Sequence, residues 1–312
     1  MDRWTNESDS IVARPRAITG GVRIRPLEGL NLIALLTLSL LTLVFYSELK
    51  EPGEILLRFA LMGAFLALAV FLAGRLERLP TAIRVAVDFY PAAFIPLLFE
   101  SLGPLITAAR GHARDELLIA ADRALFGTDV TVWLERLVRP WLTNLLYVCY
   151  ASYYFLGVSL AALLWRRNVA DGRRFIFTLS FCYLVSYAGY FTVPALGPRF
   201  ALASAQSVTL ETTPLSRAIS TTINELERTK LDVFPSGHTM IATAVLLVAF
   251  RRDRRAFWFL LPIVVGLIVS TVYCRYHYVV DVLAGLALAV ATVPLGDRIY
   301  DRLADSGESS FS

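Results

Sequence analysis

The sequence predicts an all-α integral membrane protein of about eight transmembrane helices. Three observations carry this reading. Hydrophobic residues make up 56% of the 312 residues and charged ones only 18%, a balance too apolar for a water-soluble domain of this length. Apolar runs near the roughly 20 residues needed to cross hydrocarbon recur along almost the whole chain. Arginines gather in the short turns between alternate runs, as they do on the cytoplasmic side of membrane proteins.

Taken in order, residues 1–29 form a cytoplasmic N-terminal tail. The run at 30–46 ends in Ser47, Glu48 and Lys50 rather than in a small-residue cleavage site, so it is expected to stay as an anchor. With the run at 55–73 it makes two additional N-terminal spans within 30–84. A six-span core follows over 85–296, from runs at 85–106, 142–164, 175–193, 238–250, 256–273 and 278–295. The run at 238–250 is short and needs its flank from Pro235 to complete a crossing. A polar cytoplasmic tail closes the chain at 297–312.

Alternation from an inner N-terminus puts the turn Arg251, Arg252, Asp253, Arg254, Arg255 on the cytoplasmic side, together with both termini. The long segments 107–141 and 194–234 then lie outside. In the first, Asp115, Leu117, Leu118, Ala121 and Leu125, then Val132, Leu134 and Leu137, have the spacing of short amphipathic helices at the interface. The second opens with Pro194, Gly197 and Pro198, is rich in Ser and Thr, and reads as an ordered loop with a short helix near 219–226. The net charge of +4 follows from this topology. No basic stripe interleaved with aromatics occurs in a soluble segment, so no nucleic-acid partner is expected. Cys149, Cys182 and Cys274 lie in or beside spans without metal-ligand spacing and are expected to pack as apolar residues, with neither disulfide nor zinc. Asp88, near the inner end of the third span, is expected to snorkel or to pair with Arg84.

Of the three histidines, His238 and His277 fall at the outer ends of different spans, whereas His112 reads as a solvated interface residue. The string Phe234-Pro235-Ser236-Gly237-His238 opens an apolar helix. Free N–H groups there suit an anion, Gly237 lets it approach, and Ser236 adds a hydroxyl. His277 precedes Asp281 by four residues, which puts both on one helical face. A carboxylate holding one imidazole nitrogen leaves the other free to attack phosphorus. Arg199 and Arg275 stand near these segments, and guanidinium groups match phosphate oxygens. The constellation therefore fits phosphate chemistry, with one histidine as nucleophile and the other protonating the leaving oxygen. Taken alone, 235–238 is also a plain helix start. The tyrosines at 147, 150 and 154, and at 183, 187 and 190, are expected to form an interfacial girdle, Tyr187 and Tyr190 being placed to line a headgroup cavity.

These strings resemble a known family. Pro235-Ser236-Gly237-His238 and the stretch from Tyr273 to Gly285, with Arg275, His277 and Asp281, are similar to the second and third motifs of the type 2 phosphatidic acid phosphatase superfamily. Gly197-Pro198-Arg199 looks like a reduced first motif. The pattern, including Asp122-Arg123-Ala124-Leu125-Phe126-Gly127-Thr128-Asp129, is most similar to the branch of inositol phosphorylceramide synthases and their bacterial relatives. The resemblance covers about 115–285 and leaves the first two spans unexplained. It implies a phosphohistidine on His277, with His238 as acid and Asp281 orienting His277. It implies phosphate binding by Arg199, Ser236 and Gly237. No lysine precedes Arg199 as it does in typical members, and Thr271 stands where they carry arginine. Arg275 and Lys230 are the candidate replacements. A metal-independent enzyme without cofactor is implied, acting on a phospholipid or other lipid phosphate among membrane lipids, as a transferase or as a phosphatase. A transporter or scaffold that merely binds an anion is the rival from another class.

Overall fold

The computed structural model describes residues 24–227 and 229–309. The expected N-terminal tail lies outside them up to residue 23, as do Arg228 and the last three residues. Among the described residues there are helices and no strands. Proline at the first turn starts several helices, where its missing N–H costs nothing. The helices are α1 (Pro26–Val44), α2 (Pro52–Ala73), α3 (Thr81–Phe89), α4 (Pro91–Glu100), α5 (Leu102–Arg110), α6 (Asp115–Phe126), α7 (Val130–Trp133), α8 (Pro140–Ala151), α9 (Tyr153–Arg167), α10 (Val169–Tyr190), α11 (Pro198–Ala201), α12 (Pro214–Leu226), α13 (Gly237–Arg252), α14 (Arg254–Tyr273) and α15 (Val279–Ser309).

Among the described residues, five stretches are long and apolar enough to cross a membrane: α1, α2, Thr81–Arg110, α14 and Val279–Asp305. A sixth is the pair α8 and α9, bent by 47° at Ser152. The two other expected spans fall short of that standard. The helix α13 has 16 residues, and α10 carries Asp171, Arg173 and Arg174 in its first turns. Both sit in the middle of the bundle, α13 packed on α9, α10, α14 and α15, and α10 on α9, α13 and α15. A helix walled by protein does not need an apolar surface matched to the hydrocarbon thickness. The chain is thus a multi-pass helical membrane protein.

Basic residues gather at the end of the bundle opposite His238. Asp253 caps α14 by accepting from Arg255 N and Ala256 N and pairs with Arg167. Arg252 meets Asp171 at 2.8 Å, and Arg174 meets Asp301 at 2.8 Å. Asp88 is 1% exposed. Its partner is not Arg84, which donates to Thr81. It accepts from Arg25 at 2.6 Å, Arg173 at 2.9 Å and the Trp165 indole at 2.9 Å. Sequence spacing suggested the near neighbour, but a buried carboxylate needs several donors at once, and three different helices or helix starts converge to supply them. The first span also joins α4 through Asn31, whose amide donates to the Tyr90 hydroxyl at 2.6 Å.

At the other end, the segment expected to be interfacial forms α6, α7 and a short 3-10 turn, Leu134–Leu137, and the long loop contains α12. Two carboxylates on α6 hold this end together. Asp115 accepts from Leu196 N, Gly197 N and the Tyr278 hydroxyl, each at 2.8 Å. Asp122 accepts from Val279 N at 2.9 Å and Val280 N at 2.8 Å, satisfying free donors at the start of α15. Burial, eased by these two N–H groups, holds the Asp122 carboxyl above its ordinary range. Gly197 takes a φ of 91°, a turn that L side chains rarely adopt. The last helix runs without a break from the membrane through Ser309.

Candidate active site

Three turns meet where α13 and α15 begin. Ser236 N donates to the Asp281 carbonyl at 3.1 Å, which fixes the start of α13 against the first turn of α15. Arg199 N donates to the Arg275 carbonyl at 3.0 Å, which brings the Gly197 turn beside them. The result places His238 Nδ1 at 3.5 Å from His277 Nε2.

His277 is 4% exposed. Its Nδ1 lies 2.9 Å from the Val233 carbonyl oxygen and 3.6 Å from Asp281 Oδ2. A carbonyl can only accept, so Nδ1 carries the proton and donates to Val233, and Nε2 keeps its lone pair directed at His238. Asp281 Oδ2 accepts from Tyr278 N at 2.8 Å, while Oδ1 is buried without a partner. The carbonyl of Val233 is therefore the direct orienting acceptor, with the Asp281 carboxylate just behind it. Burial first, and then the nearby His238 charge, keep His277 well below the usual histidine range, hence neutral.

His238 lies between the rings of Tyr150 and Tyr153, with centroids at 4.6 and 4.2 Å. Its Nε2 donates to Glu227 Oε1 at 3.1 Å. Glu227 also accepts from the Tyr154 hydroxyl at 2.9 Å. Burial opposes its charge, but His238 and the Tyr154 hydroxyl outweigh this and hold the Glu227 carboxyl below its ordinary range. For the nearby Asp232, removal from water and then the Glu227 charge outweigh the pull of His238 and a backbone N–H, and push its carboxyl up to about 7.

Arg199 reaches over the rings of Phe200 and Tyr276, 4.7 and 4.6 Å from their centroids, and its Nη1 donates to Asn224. Its charge bears on Glu227, Asp232 and His277. Lys230 Nζ donates to the Glu227 carbonyl at 3.2 Å and lies 5.9 Å from the same Phe200 ring, so this cation stands at the rim.

Four expectations for this region need correction. Arg275 is not brought to the histidines. Its φ is 65°, and its guanidinium bonds Glu135 at 2.7 Å, the Val208 carbonyl at 2.7 Å and Gln206 at 3.2 Å. The turn that presents His277 points Arg275 the other way, into the outer loop. The Ser236 hydroxyl is engaged as the helix cap, accepting from Thr239 N at 3.3 Å and donating to Thr239 Oγ1 at 3.0 Å, and Ser236 is wholly buried. Gly237 makes room for protein rather than for an anion: a Cβ there would lie 2.4 Å from the Tyr190 hydroxyl oxygen. The interfacial girdle expected for most of the tyrosines does not form either, whereas Tyr187 and Tyr190 do line a cavity, as expected of them. Tyr147 and Tyr150 are 1% and 0% exposed, and Tyr153, Tyr154, Tyr183, Tyr187 and Tyr190 line a cavity of about 380 Å³ that begins at His238, Glu227 and Asp232. Their helical spacing puts them on the inward faces of α8, α9 and α10, while Trp141, Leu145 and Val148 take the outward face of α8.

A family model described as the PAP2 superfamily matches residues 116–295, more than half of the chain. The chain belongs to the PAP2 superfamily. The matched stretch contains all but the first residue of α6, then α7 to α14 and α15 as far as Leu295, and hence His238 and His277, whereas α1 to α5 lie outside it. The chain is also 24% identical to a PA-phosphatase related-family protein of Dictyostelium discoideum, over 79% of this chain and 52% of the relative. It thus spans about half the length of that relative. No solved structure matches it significantly.

Sequence reasoning missed Glu227, Asp232 and Val233. Glu227 was visible only as one of several acidic residues in a polar loop, and Val233 acts through its backbone, so no side-chain motif announces it.

Proposed function

We propose that the chain is a membrane lipid phosphotransferase working through a phosphohistidine on His277, most similar in activity to inositol phosphorylceramide synthases. The observation that carries the reading is the neutral, Val233-tethered His277 with Nε2 directed at His238. In the first step the Nε2 lone pair forms a bond to phosphorus, the bond to the leaving oxygen breaks, and that oxygen takes the proton of His238 Nδ1. Glu227 stabilises the protonated state of His238 before the step. Arg199, with Lys230 at the rim, neutralises the phosphoryl oxygens. In the second step an acceptor hydroxyl attacks phosphorus, the bond to Nε2 breaks, and the hydroxyl proton passes to His238. In this reading each step is carried by groups of the chain, without metal or cofactor, and turnover is expected to be insensitive to chelators. In this reading the site opens on the outer side, with both termini cytoplasmic, and the six-span core over 85–296 is the catalytic unit.

Transfer to a lipid hydroxyl is favoured over hydrolysis because the cavity beside His238 runs into apolar surroundings rather than into bulk water. A sphingolipid-type alcohol is an acceptor of the right chemistry. Lipid phosphate or pyrophosphate hydrolysis is the second reading, favoured by the partly exposed Arg199 at the rim. Purified protein supplied with a phospho-headgroup donor and a lipid alcohol is expected to form the exchanged lipid faster than the hydrolysed product, followed by mass spectrometry. Hydrolysis of several lipid phosphates with no acceptor-dependent product would assign it as a phosphatase.

A further inference from the structure

We infer that the cavity beginning at His238 is a groove for one hydrocarbon tail of the lipid substrate, and that the helix outside the family-matched stretch measures the length of that tail. The inference rests on the lipid phosphate reading above. The groove has a polar head, Glu227, Asp232 and His238, and an apolar body between α3–α4, α9 and α10. On the α3–α4 side its lining runs from Glu100, at the polar end, through Phe99 down to Phe89. Ten residues of helix correspond to about 15 Å, so the groove reaches deep into the hydrocarbon layer. Ala92 and Pro96 line it and are exposed, and Val158 across from them is 45% exposed, so the groove opens sideways toward lipid. A tail can enter from the bilayer while its phosphate reaches the histidines.

The deep end is built as a stop. Phe89 packs edge-on against Trp165, with ring centroids 6.3 Å apart. The Trp165 indole donates to Asp88, which Arg25 and Arg173 also hold. A tail that grew past Phe89 would meet a buried ion cluster, where hydrocarbon gains nothing. Arg25 and Glu28, at the start of α1, and Asn31 within it brace this floor and the neighbouring Tyr90. That gives the first span a function, as backing for the ruler.

The test uses the full chain in detergent, a lipid alcohol as acceptor and a series of alkyl monophosphates from short to long, with two readouts, turnover and photo-crosslinking by analogues carrying a carbene precursor at the tail end. Ala92→Phe, at an exposed position, fills the groove from the side. It is expected to lower turnover and crosslinking of the long members at least tenfold relative to the short ones. Phe89→Ala removes the floor and is expected to move the optimum to longer tails. Wild-type crosslinks should fall near Phe89 and Trp165 for the longest tail accepted. Crosslinks elsewhere, or equal effects of both variants on all tail lengths, overturn the inference. Tail-dependent crosslinking in the groove without turnover of any member leaves the groove standing and overturns the catalytic reading instead.

Discussion

Glu227→Gln is the substitution that separates an acid catalyst held in readiness from a histidine that merely packs. Glutamine keeps the volume of the side chain and can still accept from the Tyr154 hydroxyl, now at 2.9 Å. What it loses is the charge 3.1 Å from His238 Nε2. At an effective dielectric of roughly 20 the gross Coulomb attraction at that distance is about 5 kcal/mol. The net value of a hydrogen bond to a charged group is about 1.5–3 kcal/mol. Taking the net figure, proton donation by His238 loses about tenfold to a hundredfold in rate, since each factor of ten is about 1.4 kcal/mol. If His238 donates the proton to the leaving oxygen, kcat/KM falls by that factor. The assay is kcat/KM across pH for wild type and variant. An unchanged kcat/KM with an unchanged pH profile would refute the assignment of His238 as the acid.

The two arginines are expected to behave differently. Arg199→Ala should lower kcat/KM by about a hundredfold with little change in melting temperature, the scale for losing a charged transition-state contact. Arg275→Ala should cost about 1.5–3 kcal/mol of stability, because Glu135, whose side chain is only 9% exposed, loses its charged partner while keeping the bonds from Ser207 N and Oγ. Asp232 predicts a pH dependence of stability. Its carboxyl titrates at about 7 when folded against 3.8 in the reference state, so between these values the folded chain keeps a proton that the unfolded chain has lost. Stability from this group is therefore lost as pH rises through the window, by about 1.4 kcal/mol per pH unit. Melting scans of wild type and Asp232→Asn should diverge in favour of the variant as the pH is raised from mildly acidic to neutral. For topology, a single cysteine near Arg217, with the native cysteines removed, should react with a membrane-impermeant thiol reagent from outside, and one near Asp253 should not. The reverse pattern overturns the orientation.

The helical membrane class was legible because each run has to be apolar enough for lipid, and the basic turns repeat at one end. The pairing of His238 with His277 was legible because both close the same side of the bundle in the alternation of spans. Less was legible where tertiary packing decides. Arg275 lies two residues from His277, yet its positive φ turns it to Glu135, more than a hundred residues earlier. Ser236 reads equally well as a phosphate donor or as a cap, and only its bond with Thr239 distinguishes the two. The tyrosines of α8, α9 and α10 have the same spacing whether they face an interface or a cavity. Asp115 and Asp122 sit on an amphipathic helix where charge is expected at the surface, and both are instead buried pins for the turns that carry the site. Glu227 carries no motif at all.

Trapping the intermediate tests the central claim most directly. Full-length protein mixed briefly with a lipid phosphate substrate, quenched under alkaline conditions that preserve phosphoramidates and digested, should yield one phosphorylated peptide, with the modification on His277 by mass spectrometry. The yield should drop when a competent acceptor is added, and His277→Ala should give none while melting as the wild type does. Modification on His238 instead, or turnover retained in His277→Ala, would contradict the account.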